Sequence, residues 1–96
     1  MVEICDAIKQ RCLLQFSYDG HQRVVIPAAH GQHATTHNHV LRAYQVRGSS
    51  TSRVPPFWSM FTLAKMSGVL VLAESFDADP PGYVRNDSDI VVHCQL

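Results

Sequence analysis

From Leu14 to Tyr18 apolar and polar residues alternate one by one, the period of a half-buried strand, and similar short runs recur along most of the chain. Only the beginning follows a helical rhythm. Over Val2 to Arg11, Ile4, Ala7 and Ile8 share one side, with Glu3 and Asp6 near the N-terminal end and Lys9 and Arg11 near the C-terminal end, as the helix dipole favours. A helix of roughly ten residues is marginal alone, so it is expected to lie against a sheet. Asp19-Gly20 is a strong hairpin signal between the first strand and the β-branched run Val24-Val25-Ile26, which Pro27 is expected to end because proline cannot donate to a ladder. Ala28 to Asn38 reads as a loop. Val40 to Val46 reads as a third strand, with Val40, Arg42 and Tyr44 on one face and Leu41, Ala43 and Gln45 on the other. Gly48 to Ser52 and Pro55-Pro56 mark a second loop. Phe57 to Leu63 returns as a strand, and Gly68 separates it from the all-apolar run Val69 to Leu72, expected at the centre of the sheet.

These elements predict one mainly β domain: a helix over 1–12, strands over 13–76, and an acidic, turn-rich tail over 77–96 in which Ile90 to Cys94 can add an edge strand. The expected architecture is a small, strongly bent antiparallel sheet behind an N-terminal helix. Ile8, Leu14, Phe16, Val25, Leu41, Phe61, Leu63, Val69 and Val71 are the expected core.

Composition narrows the function classes. The chain has 96 residues, enough for one modest core, and the helical stretch is too short for a separate DNA-reading unit. No apolar run approaches the ~20 residues of a membrane span. The start is acidic where a secretory signal would be basic, and the three cysteines, Cys5, Cys12 and Cys94, lack C-x-x-C spacing. Both features predict reduced thiols in a cytoplasm. Net charge is zero but divided: residues 1–65 carry seven Lys/Arg against three Asp/Glu, residues 66–96 one against five. Such halves attract each other or a second copy, and with exposed sheet edges they predict a homodimer. Nonspecific binding to duplex nucleic acid, which needs a broad basic surface, is disfavoured.

Arg42 and Tyr44 are the first candidate site, since a guanidinium fork matches phosphate or carboxylate and a neighbouring ring can stack on a base. The competing reading is that the arginines pair with tail acids between Glu74 and Asp89. The second candidate is His30, His33, His37 and His39, whose imidazoles could converge on zinc or nickel. No cysteine is near them in sequence, their spacing is irregular, and solvated loop histidines are the expectation, with no metal or cofactor assigned. Cys94 beside His93, or Ser52 with a loop histidine, lies in no nucleophile motif, so no enzyme is expected.

A longer ordered series contains these residues: Phe16-x-Tyr18, Arg23-x-Val25-x-Pro27, Leu41-Arg42-Ala43-Tyr44, and Trp58-x-x-Phe61 followed by an apolar strand. From about Glu3 to Leu72 the chain resembles the WYL-type domain, a small ligand-sensing module of bacterial and phage regulators. The family's Trp-Tyr-Leu tripeptide falls on His39-Val40-Leu41, where only the leucine remains, and Ser59 stands where the family has an arginine. The resemblance implies an SH3- or Sm-like partly open barrel. It further implies a nucleotide or short single-stranded nucleic acid as ligand, in transcription or defence. By that resemblance Arg23 and Tyr18 join Arg42 and Tyr44, and Lys65 compensates in part for Ser59. The alternatives are a module that docks a regulatory protein through Trp58 and the acidic tail, and a metal-responsive module using the loop histidines.

Overall fold

A computed structural model describes residues 4–96. The expected helical positions Val2 and Glu3 lie outside the described residues. Helix α1 spans Ile4–Gln10, followed by strands β1 (Cys12–Tyr18), β2 (His21–His33), β3 (His39–Gly48), β4 (Phe57–Thr62), β5 (Ser67–Ser75) and β6 (Ile90–Gln95). A single 3-10 turn, Leu63–Lys65, joins β4 to β5. The hairpin expected at Asp19-Gly20 forms, with φ positive at both residues (52° and 76°), as a tight right-twisted connection requires. No helix among the described residues is long and apolar enough to cross a membrane.

The six strands form one antiparallel sheet in the order β4-β3-β2-β1-β5, with β6 added to β2. The long β2 explains the layout. Its first part pairs with β1 (Leu14 opposite Val25), its last part with β6 (Ala29 opposite Gln95), and β3 follows its other edge throughout. Pro27 therefore does not end the strand. It is fully buried at the point where β1 has ended, β6 has not begun and the β3 register slips between Pro27 and Ala29, so its missing N–H costs no ladder bond there. The region expected as a loop from Ala28 is thus strand as far as His33.

The sheet is not closed into a barrel, yet it curls. Phe16 of β1 and Phe61 of β4 are three strand positions apart, about 14 Å in a flat sheet. Their ring centroids are 5.0 Å apart, and the Thr62 N–H donates to the Tyr18 hydroxyl at 3.1 Å. Ile4, Ala7 and Ile8 of α1 close the concave side against Leu14, Phe16, Val25, Leu41, Ala43 and Phe61. Leu63, Val69 and Val71 reach this core from its margin and are only partly buried. Val69 to Leu72 is not central: among the described residues β5 pairs with β1 alone, and Leu70 is 53% exposed at the sheet edge.

The thiols also depart from expectation. Cys5 on α1 and Cys94 on β6 are joined in a disulfide, their Cα atoms 5.7 Å apart, and Cys12 is free. They are separated by 89 positions in the chain, and spacing at that range carries no information about which elements pack together. The divided charge is met in part inside the chain: Arg11 meets Asp79, Arg47 meets Glu74, and Arg42 meets Asp87 and Asp89.

Candidate functional site

The residues of the expected anion site occupy two separate regions. Arg23 stands on the concave side of β2, 5% exposed, with its guanidinium over the rings of Tyr18 and Phe61 at 5.4 and 5.5 Å from the centroids. It donates through Nε and Nη2 to the Tyr18 carbonyl and through Nη1 to Gln45 Oε1, each at 3.3 Å. Gln45 is itself held by donating to the carbonyls of Arg47 and Ser49. Burial lowers the Arg23 pKa from its ordinary value, with Asp19 opposing. A guanidinium keeps its proton all the same, so the hydrogen bonds are what make its burial tolerable. All three of its nitrogens already have partners within the fold.

Arg42 lies opposite Ala29, six residues along β2 from Arg23 and so about 20 Å away. Leu41 and Ala43 face the core, which turns Arg42 and Tyr44 to the outer face. There Arg42 Nε donates to Asp87 at 3.1 Å and Nη2 lies 3.6 Å from Asp89. Tyr44 packs on Trp58, Trp58 stacks on Tyr83, and the Trp58 indole N–H donates to the Pro81 carbonyl at 2.7 Å. The tail therefore covers this face. The remaining cavity of ≈ 220 Å³, lined by Arg42, Trp58 and Tyr83, also contains Asp87. The basic-aromatic surface is thus answered by the chain's own acids.

A larger cavity of ≈ 440 Å³ opens between the start of α1, the beginning of β3, the 3-10 turn and β5. Ile4, Leu63, Ala64, Met66 and Val69 supply apolar walls, and Asn38, His39 and Thr62 supply polar groups. Lys65 is exposed between two of the lining residues, Ala64 and Met66. Sequence reasoning missed this cavity because its walls are the marginal residues that β5 leaves uncovered at the sheet edge.

The four loop histidines do not converge on one point, although His37 and His39 both line this cavity. His33 accepts backbone N–H bonds from Thr35 and Thr36 through Nδ1 and shapes the β2–β3 turn, and His37 occupies a left-handed position in that turn. His30 on β2 and His39 on β3 are instead joined by His93 of β6, with ring centroids 5.6–6.2 Å apart. Burial, with His93 and His39 beside it, lowers the His30 pKa from 6.5. Cys94, weighed above as a nucleophile beside His93, is held in the disulfide. Comparison of the chain with protein-family models, curated proteins and solved structures finds no match.

Proposed function

We propose that the chain is a non-enzymatic, WYL-like ligand-binding module, and that its ligand enters the ≈ 440 Å³ cavity rather than the surface around Arg42. The carrying observation is that cavity: its size falls within the range of small-molecule sites, and its apolar walls stand beside a short row of hydrogen-bonding groups. His39, at the first position of the family tripeptide, is one of those groups. A ring system suits Leu63, Met66 and Val69, and its polar edge suits Asn38 and Thr62. A nucleotide-like ligand would put its base there and its phosphate towards Lys65, which favours a nucleoside or mononucleotide over a longer strand.

Titration of the full chain with nucleosides, cyclic and linear nucleotides and short single-stranded RNA tests this reading. Binding is expected to fall on the order of tenfold or more in Ala64→Trp, whose exposed helical-turn position tolerates a larger side chain that fills the cavity, and to be unchanged in Arg42→Ala. Binding lost in Arg42→Ala and kept in Ala64→Trp, or no binding at all, would overturn it.

The exposed apolar edge of β5 supports a second element of the reading, a homodimer formed by pairing β5 with β5 of a second copy. This reading assigns the dimer to the β5 edge rather than to the charge halves, since Glu74, Asp79, Asp87 and Asp89 of the acidic half already pair with arginines within the chain. Sedimentation at tens of micromolar should give a dimer mass insensitive to salt and a monomer mass for Leu70→Lys. A monomeric wild type would remove this element and leave the cavity untouched.

A further inference from the structure

We propose that His30, His39 and His93 form a binding site for a zinc ion, with one coordination position left open. Three strands build it, and the register explains how. His39 lies diagonally across from His30 in the β2–β3 ladder, two positions from Leu41, the residue opposite His30, so the two imidazoles share a face. On the other side His30 is opposite Cys94 and Gly31 opposite Val92, which leaves His93 as the extra residue of a β-bulge. Strict alternation would turn His93 away from its neighbour Cys94; the bulge re-aims it, and its ring stands 5.6 Å from that of His30. Gly31 permits the close crossing, since a Cβ there would lie 2.1 Å from the Val91 carbonyl.

The donor set fits the ion. One ring nitrogen from each histidine lies within 4.8 Å of the other two. Zinc at ~2.0–2.1 Å from each nitrogen needs them ~3.4 Å apart, a contraction that the exposed rings of His39 and His93 can make around a fixed His30. His30 is fixed by its other edge, where Nδ1 sits 3.6 and 3.9 Å from the sulfurs of Cys5 and Cys94. Its Nε2 is buried and has no hydrogen-bond partner among the described residues, a polar atom that a metal would satisfy. Three neutral imidazoles suit zinc, and three protein ligands are the number that leaves a position for water or a ligand atom. This set differs from the loop group considered from the sequence, sharing His30 and His39 with it but replacing His33 and His37 by His93.

Isothermal titration of Zn²⁺ alone into the full, untagged, chelator-treated chain, with Co²⁺ absorption as a second readout, tests the proposal. Wild type should take one ion, with the intense visible bands of tetrahedral cobalt. His93→Ala, which removes an exposed ring and touches neither the cavity nor the core, should weaken zinc binding on the order of tenfold or more, while His33→Ala should not. Unaltered circular dichroism in His93→Ala would show that the loss is local. No saturable uptake by wild type, or equal binding by wild type and His93→Ala, would overturn the site. Because His93 does not line the cavity, failure here is separable from failure of the ligand reading.

Discussion

Two arginine–aromatic groups on neighbouring strands, similar in sequence, have opposite fates in the fold. Arg23 lies inside the curl of the sheet, its guanidinium over the mutually perpendicular rings of Tyr18 and Phe61, with its donors on a carbonyl and a buried glutamine. Arg42 lies on the outer face, half-buried beneath the tail, between two carboxylates. The first holds the concave side together where β1 approaches β4; the second fastens the acidic tail to the sheet. The same residue types therefore stabilise through desolvated hydrogen bonds in one place and through screened charge in the other.

The largest way to sharpen that contrast is to remove each cation. Arg23→Met should cost about 2–4 kcal/mol in urea unfolding, because it strips charge-assisted hydrogen bonds and leaves Gln45 Oε1 buried without its donor. Arg42→Met should cost about 1 kcal/mol or less. Equal losses would erase the distinction. The Cys5–Cys94 bridge gives a reference of similar size at the far end of β2: replacing both cysteines by alanine should cost about 2–5 kcal/mol, since it releases a long loop of the unfolded chain. Its effect should add to that of Arg23→Met, the two sites sharing no partner. A thiol titration under denaturing, non-reducing conditions should find Cys12 alone.

How much of this was legible in the sequence follows from the range of the interactions. The alternation of Leu14 to Tyr18, the Asp19-Gly20 turn and the faces of β3 are local, and the structure keeps them. The place of Val69 to Leu72 in the strand order, the union of Cys5 with Cys94, and the joining of His93 to His30 and His39 are decided by which strands meet. No residue near any of them signals it. Pro27 misled for a related reason: proline is excluded from a continuous ladder, and only the handover from β1 to β6 makes its position tolerable. For Arg42 the sequence offered both an anion site and the tail acids, and the structure pairs it with Asp87 and Asp89.

A smaller effect tests the Arg23 side alone. Tyr18→Phe keeps the ring beneath the guanidinium but removes the acceptor of the Thr62 N–H, the hydrogen bond that ties β1 to the end of β4. A loss of about 1–2 kcal/mol is expected in denaturant unfolding. On the outer face, a double-mutant cycle of Arg42→Ala and Asp87→Ala should give a coupling of about 0.5–1 kcal/mol that shrinks with added salt. A coupling that ignores salt would mean that the tail shields this pair as fully as the core shields Arg23.

His30 supplies the finest test, because it meets the same penalty as Arg23 and answers it differently. Burial disfavours the charged form of both, but a guanidinium cannot give up its proton and must be hydrogen-bonded, whereas an imidazole can simply become neutral. His93 and His39 add to the effect, and the disulfide sulfurs on its other side bring no opposing charge. The folded His30 therefore binds its proton less readily than it does in the unfolded chain, where it titrates near 6.5. Its contribution to stability is complete above that value and is lost as pH falls through it towards the lower pKa of the folded state. Unfolding measured in the presence of a chelator should show that decline in wild type and a shallower one in His30→Gln, which cannot take up the proton. The effect should be the smallest of the set, since one partly buried ring is responsible. Identical pH dependence in the two proteins would show that the neutral state of His30 is not what the cluster of three rings enforces.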